Sequence, residues 1–192
     1  MIAHFPILQV IVPLMAAPIC LLLARPRLAW LFTLMTSGLA FLISATLLQQ
    51  VMTSGTIVYE LGGWQAPWGI ELGIDQLNAL VLLIITAIST IVLFAAHTSI
   101  EQEIPVTRRT VFYILYLLSL TGMLGILATG DAFNAFVFLE ISSLSAYALI
   151  ALGKDRRALW ASYQYLIMGT IGATFILIGI GLMYQMTGTL NM

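Results

Sequence analysis

Six stretches of this sequence are each long and apolar enough to cross a lipid bilayer as a single helix, and this constrains the fold more than any motif does. They run Phe5 to Ala24, Leu28 to Met52, Gln76 to Ala96, Thr110 to Thr129, Ala132 to Ala151 and Ala158 to Met186. A helix needs about 20 such residues to span the hydrocarbon, where every backbone polar group must be satisfied inside the protein. Five of the stretches carry no Asp, Glu, Lys or Arg, and the remaining one carries only Glu140. The expected fold class is an all-α membrane protein with six transmembrane helices, one transmembrane domain over residues 1–192. The fourth and fifth stretches nearly touch: Thr110 to Ala151 is 42 residues, about 63 Å as one helix, twice the hydrocarbon thickness. The chain must fold back there. Gly130 is expected to end one helix in the left-handed conformation and Asp131 to cap the next.

Composition removes several function classes. Hydrophobic residues make up 61% of the chain and charged residues 8%, against roughly a quarter charged in soluble domains. A net charge of -1 provides no basic surface, so no nucleic-acid partner is expected. Cys20 is the one cysteine, and His4 and His97 fall at opposite membrane faces, so neither a disulfide nor a metal site is expected. There is no Walker loop, GxGxxG, haem motif or nucleophile with an attached base, so no cofactor is expected either. A cofactor-binding enzyme in its own right is disfavoured. A transporter subunit and a non-conducting structural membrane subunit remain.

The seven positive residues fall in alternate connections: Arg25 and Arg27, then Arg108 and Arg109, then Lys154, Arg156 and Arg157. Cytoplasmic loops carry such residues, which puts both termini of this segment on the outer side of the cell inner membrane. Trp30 and Trp160 then lie at the inner boundary, and Trp64 and Trp68 in an outer loop. That loop reads as a short β-hairpin. One strand runs from Thr56 to Leu61, Gly62 and Gly63 punctuate the segment, and a second run follows Pro67 from Trp68 to Leu72.

Chemistry is expected at Glu140. It stands nine residues after Asp131, about 13 to 14 Å down the helix and close to the bilayer midplane. A carboxylate there carries an insertion penalty of several kcal/mol, so it is expected to face the bundle interior beside a partner. A carboxyl in apolar surroundings holds its proton and an approaching ammonium releases it, which makes a proton switch. The structural alternative is a protonated carboxyl that holds helices together. Ser143 and Tyr147 follow on the same helical face and offer a hydroxyl path for protons. Asp131 and Asp75 stand at outer helix starts as N-caps, with proton exit a second role for Asp131. Gly169 and Ala173 have the small-xxx-small spacing of closely packed helices. His97, near Glu101 and Glu103, reads as a solvated interface residue.

The run GDAFNAFVFLEISSLSAYALIALG, Gly130 to Gly153, resembles the fifth-helix signature of the antiporter-like subunits shared by Mrp-type sodium/proton antiporters, respiratory complex I and membrane-bound hydrogenases. The spacing from Gly130 and Asp131 through Phe136 to Glu140 and Tyr147 carries the resemblance. The loop YELGGWQAPWGIELGID and the ending TGTLNM are most similar to the D-type subunits of the Mrp group. The resemblance implies a fold of fourteen helices containing two inverted five-helix repeats. It implies that Glu140 pairs with a lysine on a seventh helix to gate proton movement, within a multisubunit assembly coupled to sodium or to redox chemistry. This sequence contains six spans, so the resemblance also implies that the lysine lies in a longer chain or a separately encoded half.

Overall fold

The computed structural model describes residues 4–23, 25–64 and 69–192. In chain order the elements are α1 (Phe5–Leu22), α2 (Pro26–Ser54), β1 (Ile57–Glu60), β2 (Glu71–Ile74), α3 (Gln76–Ala95), α4 (His97–Glu103), α5 (Val106–Ala128), α6 (Ala132–Ala151) and α7 (Arg156–Thr187). All but α4 of these helices are long and apolar enough to cross a membrane. Helices α1, α2, α3 and α5 pack together, α6 lies against α5, and α7 lies against α6. Burial follows that order. Helix α5 buries a full stripe that includes Tyr113, Leu117, Leu120, Thr121 and Leu124. By contrast α6 buries only Ser145 and Tyr147, and α7 only Ser162 and Ala173.

Lipid tails are as apolar as leucine, so helices in a membrane adhere through close packing and hydrogen bonds rather than through hydrophobic burial. The helix α2 stripe that meets its neighbours is accordingly small and hydroxylated: Thr33, Ser37, Ala40 and Ser44 are all buried. Ser44 Oγ accepts from Gln9 Nε2 at 2.7 Å and lies 3.2 Å from Thr86 Oγ1, joining α1, α2 and α3. One level away, Ser37 Oγ stands 2.9 Å from Thr90 Oγ1 and 3.2 Å from Ser89 Oγ, and Ser89 bonds Tyr116 Oη at 2.7 Å. Two apolar clusters flank these bonds. One gathers Val10, Leu47, Ile74, Leu82 and Leu124, and the other Ala17, Cys20, Leu93, Tyr113 and Leu117.

The three basic connections share one end of the molecule. Lys154 Nζ donates to Gln102 O at 2.8 Å, and Arg25, Arg27 and Arg109 line one pocket. The hairpin lies at the other end. β1 and β2 pair antiparallel with Glu60 opposite Glu71 and Ile57 opposite Ile74. The second strand starts later than the sequence suggests, and the reason is burial: Leu72 and Ile74 alternate inward and are 2% and 0% exposed. Register follows the buried face of a strand, so Leu72 and Ile74 set it. Gly62 and Gly63 take positive φ at the turn, as a tight reversal requires. Pro67 and Trp68 lie outside the described residues.

Two expectations are corrected. Gly130 is not among the left-handed glycines, which are Gly55, Gly62, Gly63 and Gly188. Helix α5 ends at an extended Thr129 because the backbone there is drawn into pairing: Gly130 N donates to Glu71 O at 2.9 Å, and Met192 N donates to Gly130 O at 2.8 Å. The α5–α6 turn is thus held between the hairpin and the segment after α7. The second concerns His97, expected as a solvated interface residue, within residues 97–103. These residues form α4, whose Ile100 reaches the core together with Ile104. The His97 side chain is only partly exposed, at 30%. Its ring stacks on Trp30 with centroids 4.2 Å apart, and its Nδ1 is buried without a partner.

A carboxyl half-buried on a peripheral helix

Helix α6 is placed by its caps and by glycines on its neighbours. Asp131 Oδ1 accepts from Asn134 N at 2.7 Å, satisfying one of the amide groups a helix start leaves open. Asn134 Nδ2 in turn donates to Thr129 Oγ1 at 3.0 Å. Along the helix, α5 approaches through two glycines. A Cβ on Gly122 would fall 2.6 Å from Phe138 O and from Ser142 N, and one on Gly125 would strike the Phe138 ring. Phe138 and Ser142 therefore mark the α6 face turned to α5.

Glu140 lies between them in sequence and away from them in space. At 100° per residue it stands about 160° round the helix from each. Tyr147, seven residues on, returns to within about 20° of the Glu140 direction. Tyr147 faces α7: its hydroxyl occupies the space a Cβ would take on Gly169, its ring meets that of Tyr165 edge-on at 4.6 Å, and its carbonyl accepts from Ser162 Oγ at 2.7 Å. Glu140 is thus directed away from α5 and toward the α7 side. It is partly buried, and among the described residues it has no hydrogen bond and no ion pair.

The candidate residues share a helix without forming a connected chain. Asp131 is engaged as a cap at the hairpin end. Ser143 is partly buried with no side-chain hydrogen bond among the described residues, and the Tyr147 hydroxyl is set against Gly169. Lys154, the next cation along the chain, is bonded to Gln102 at the basic end and does not approach Glu140. Gly169 and Ala173 lie where α7 meets α6, with Ala173 one of two buried positions on α7. Sequence reasoning missed the Gln9–Ser44–Thr86 network. Its one signal was a glutamine inside an otherwise apolar run.

Known proteins share this architecture. A family model described as NADH:quinone oxidoreductase/Mrp antiporter, transmembrane, matches residues 129–192, which include the α5–α6 turn, α6 and α7. The chain is 45% identical over 197 residues to NADH-quinone oxidoreductase subunit N of Desulforudis audaxviator, covering 100% of this chain and 38% of the relative. It is 33% identical over 190 residues to the D-type Na(+)/H(+) antiporter subunit of Bacillus subtilis, covering 98% and 38%. A solved structure of the membrane-bound sulfane sulfur reductase, an archaeal respiratory membrane complex, superposes with a TM-score of 0.89 at 36% identity over 97% of this chain and 38% of that one. The chain therefore spans 38% of the length of each of these relatives. With six apolar helices, a hairpin cap and these relatives, the chain belongs to the antiporter-like membrane subunits common to Mrp and complex I-type complexes.

Proposed function

We propose that this chain forms part of a proton-translocating subunit of a multisubunit cation/proton antiporter, with Glu140 as its intramembrane proton-binding and gating carboxylate. One observation carries the reading: the single formal charge inside a span sits on the side of α6 turned from α5, with no cationic partner among the described residues. A carboxyl is able to bind and release a proton, and an ionisable group inside a span marks an ion or proton pathway by default. The open flanks of α6 and α7 are where a lysine-bearing helix of the kind the resemblance implies would dock, together with other membrane subunits. Ser143 and Tyr147 supply hydroxyls on the basic-end side of Glu140, which water would have to link into a proton path.

The test is exchange of Glu140 for its amide in the intact assembly, measured as acid release from everted vesicles. The driving ion is read in the same vesicles. Acid release on adding sodium supports the Mrp-type reading, and response only to a reductant supports a complex I-type or hydrogenase-type assembly. Relatives of both kinds match the chain, a quinone oxidoreductase component at 45% identity and a sodium/proton antiporter component at 33%, so the vesicle response decides between the two readings. A structural, non-conducting subunit would leave both responses unchanged on substitution.

Asp131 separates capping from proton exit. Asparagine caps as well as aspartate, so Asp131→Asn is expected to keep both stability and transport, whereas Asp131→Ala loses about 1 kcal/mol in a detergent unfolding titration. Transport lost in Asp131→Asn would assign the carboxyl to the proton route. The basic end is cytoplasmic in this reading, in the inner membrane, with the hairpin outside. A cysteine placed at Glu71 is expected to react with an impermeant maleimide in intact cells, and one at Asp155 to react only after lysis.

A further inference from the structure

At the basic end, α1–α2 and α4–α5 enclose a pocket of about 510 Å³ lined by Arg25, Arg27 and Arg109 against a single carboxylate, Glu101. Three arginines against one acid leave a surplus of two positive charges. The Arg109 guanidinium is fixed as one wall: Nε donates to Ile104 O at 3.0 Å, Nη2 donates to Glu101 O, and Nη1 stands 3.7 Å from Glu101 Oε1. Arg25 and Arg27 are exposed and make no side-chain hydrogen bond or ion pair among the described residues. The helix ends add to the same field. Both α2 and α5 begin at this pocket, and neither receives a side-chain cap. The first backbone amides bonded to the cap carbonyls are Ala29 N to Arg25 O and Arg108 N to Pro105 O, so the earlier amides at Arg27, Leu28, Val106 and Thr107 have no intrahelical partner. Helix α7 starts at the same end of the molecule and is capped by Asp155.

The remaining wall is apolar. Leu28 is 48% exposed and Val106 is 59% exposed, and both line the pocket. They lie at the level of the membrane boundary marked by Trp30, two residues beyond Leu28 and bonded through Nε1 to Leu93 O at 3.3 Å. A cavity with a cationic mouth and a lipid-facing apolar side fits an amphiphile. We propose that this pocket binds the phosphate headgroup of an anionic phospholipid, with the phosphate between Arg25, Arg27 and Arg109 and the acyl chains along Leu28 and Val106. Arginine suits the role because its planar fork pairs two phosphate oxygens at once. A free phosphate would satisfy the arginines and leave the apolar side unused.

The experiment uses the intact protein with the subunits that co-purify, in phosphatidylcholine nanodiscs carrying a trace of photoreactive phosphatidylglycerol or photoreactive phosphatidylcholine. Crosslinks to the segments 25–30 and 106–112 are quantified by mass spectrometry. The phosphatidylglycerol probe is expected to label both segments in preference to the phosphatidylcholine probe. The double variant Arg25→Gln, Arg27→Gln is expected to lower that preference about thirtyfold, given the attraction each of the two cations exerts near a membrane surface. Arg156→Gln with Arg157→Gln removes the same charge from the same end outside the pocket and is expected to leave it unchanged. Equal loss in both double variants would reduce the effect to diffuse surface attraction and overturn the site. So would wild-type labelling without preference. Displacement by inorganic phosphate but not by chloride at matched ionic strength would reassign the pocket to a soluble anion and overturn the lipid assignment. An unchanged unfolding midpoint in the Arg25 and Arg27 variant separates lost binding from lost folding.

Discussion

Glu140→Gln is expected to reduce ion movement by the intact assembly to the level of vesicles without protein, while the assembly is recovered in normal yield. The two halves of that result follow from the same geometry. Glutamine keeps the length and shape of the side chain, and no hydrogen bond or ion pair of Glu140 exists among the described residues for the exchange to break. The exchange puts a neutral amide where a carboxyl stood and adds no charge to the span, so stability is expected to hold. What the amide cannot do is bind and release a proton. Glu140→Asp keeps the titrating group one methylene closer to the α6 backbone and is expected to retain partial transport. Transport that survives in Glu140→Gln would refute the assignment of this carboxyl. Loss of assembly in the same variant would identify Glu140 as a structural hydrogen-bonding group instead.

The second large effect concerns the contact that orients α6. Gly122→Val is expected to destroy assembly and, with it, transport. The nearest atoms to a Cβ at Gly122 are Phe138 O, Ser142 N and Ser142 Cβ, each at 2.6 Å. Backbone atoms cannot swing aside as a flexible side chain can, so the whole of α6 must move away from α5. Overpacking of this kind costs about 1 to 3 kcal/mol even in adaptable cores, and here it also separates the helices that the Thr129–Asp131 turn joins. The measurement is the yield of assembled complex alongside the midpoint of unfolding in detergent. Gly172→Ala is the control. No atom lies within 4 Å of a Cβ there, so it is expected to be neutral or slightly stabilising. Normal assembly in Gly122→Val would show that α6 is held by other contacts than the glycine approach to α5. The two variants together separate chemistry from placement: one removes the carboxyl and keeps the helix, the other displaces the helix and keeps the carboxyl.

Much of the site was legible because a membrane makes charge conspicuous. Fifteen charged residues in 192, seven basic and eight acidic, leave little ambiguity about which one lies inside a span. Position along α6 then follows from helix rise alone. Direction around α6 does not. Whether Glu140 faces α5, α7 or lipid depends on where α5 approaches, and that is set by Gly122 and Gly125, which appear in sequence only as two small residues in an apolar run. The cap at Asp131 was legible from its type and position, but the end of α5 was not. A glycine after a helix usually signals a left-handed stop. At Gly130 the stop comes instead from strand-like pairing to Glu71 and Met192, residues far away in the chain.

The sequence by itself determined the class of the protein, the number and placement of the spans, the clustering of every cation in alternate connections, and Glu140 as the one charged residue well inside a span. These depend on hydrophobic length and on charge in hydrocarbon, both local properties of a chain in a bilayer. The tertiary structure alone decided which helices are central and which are peripheral, because that turns on small residues meeting at close range rather than on hydropathy, which is high in all six spans. It also brought Arg25, Arg27 and Arg109 into one pocket from segments about eighty positions apart, and it left α6 and α7 with most of their surfaces open. Contacts of that sequence separation leave no periodic trace in either segment, so only the fold reveals them.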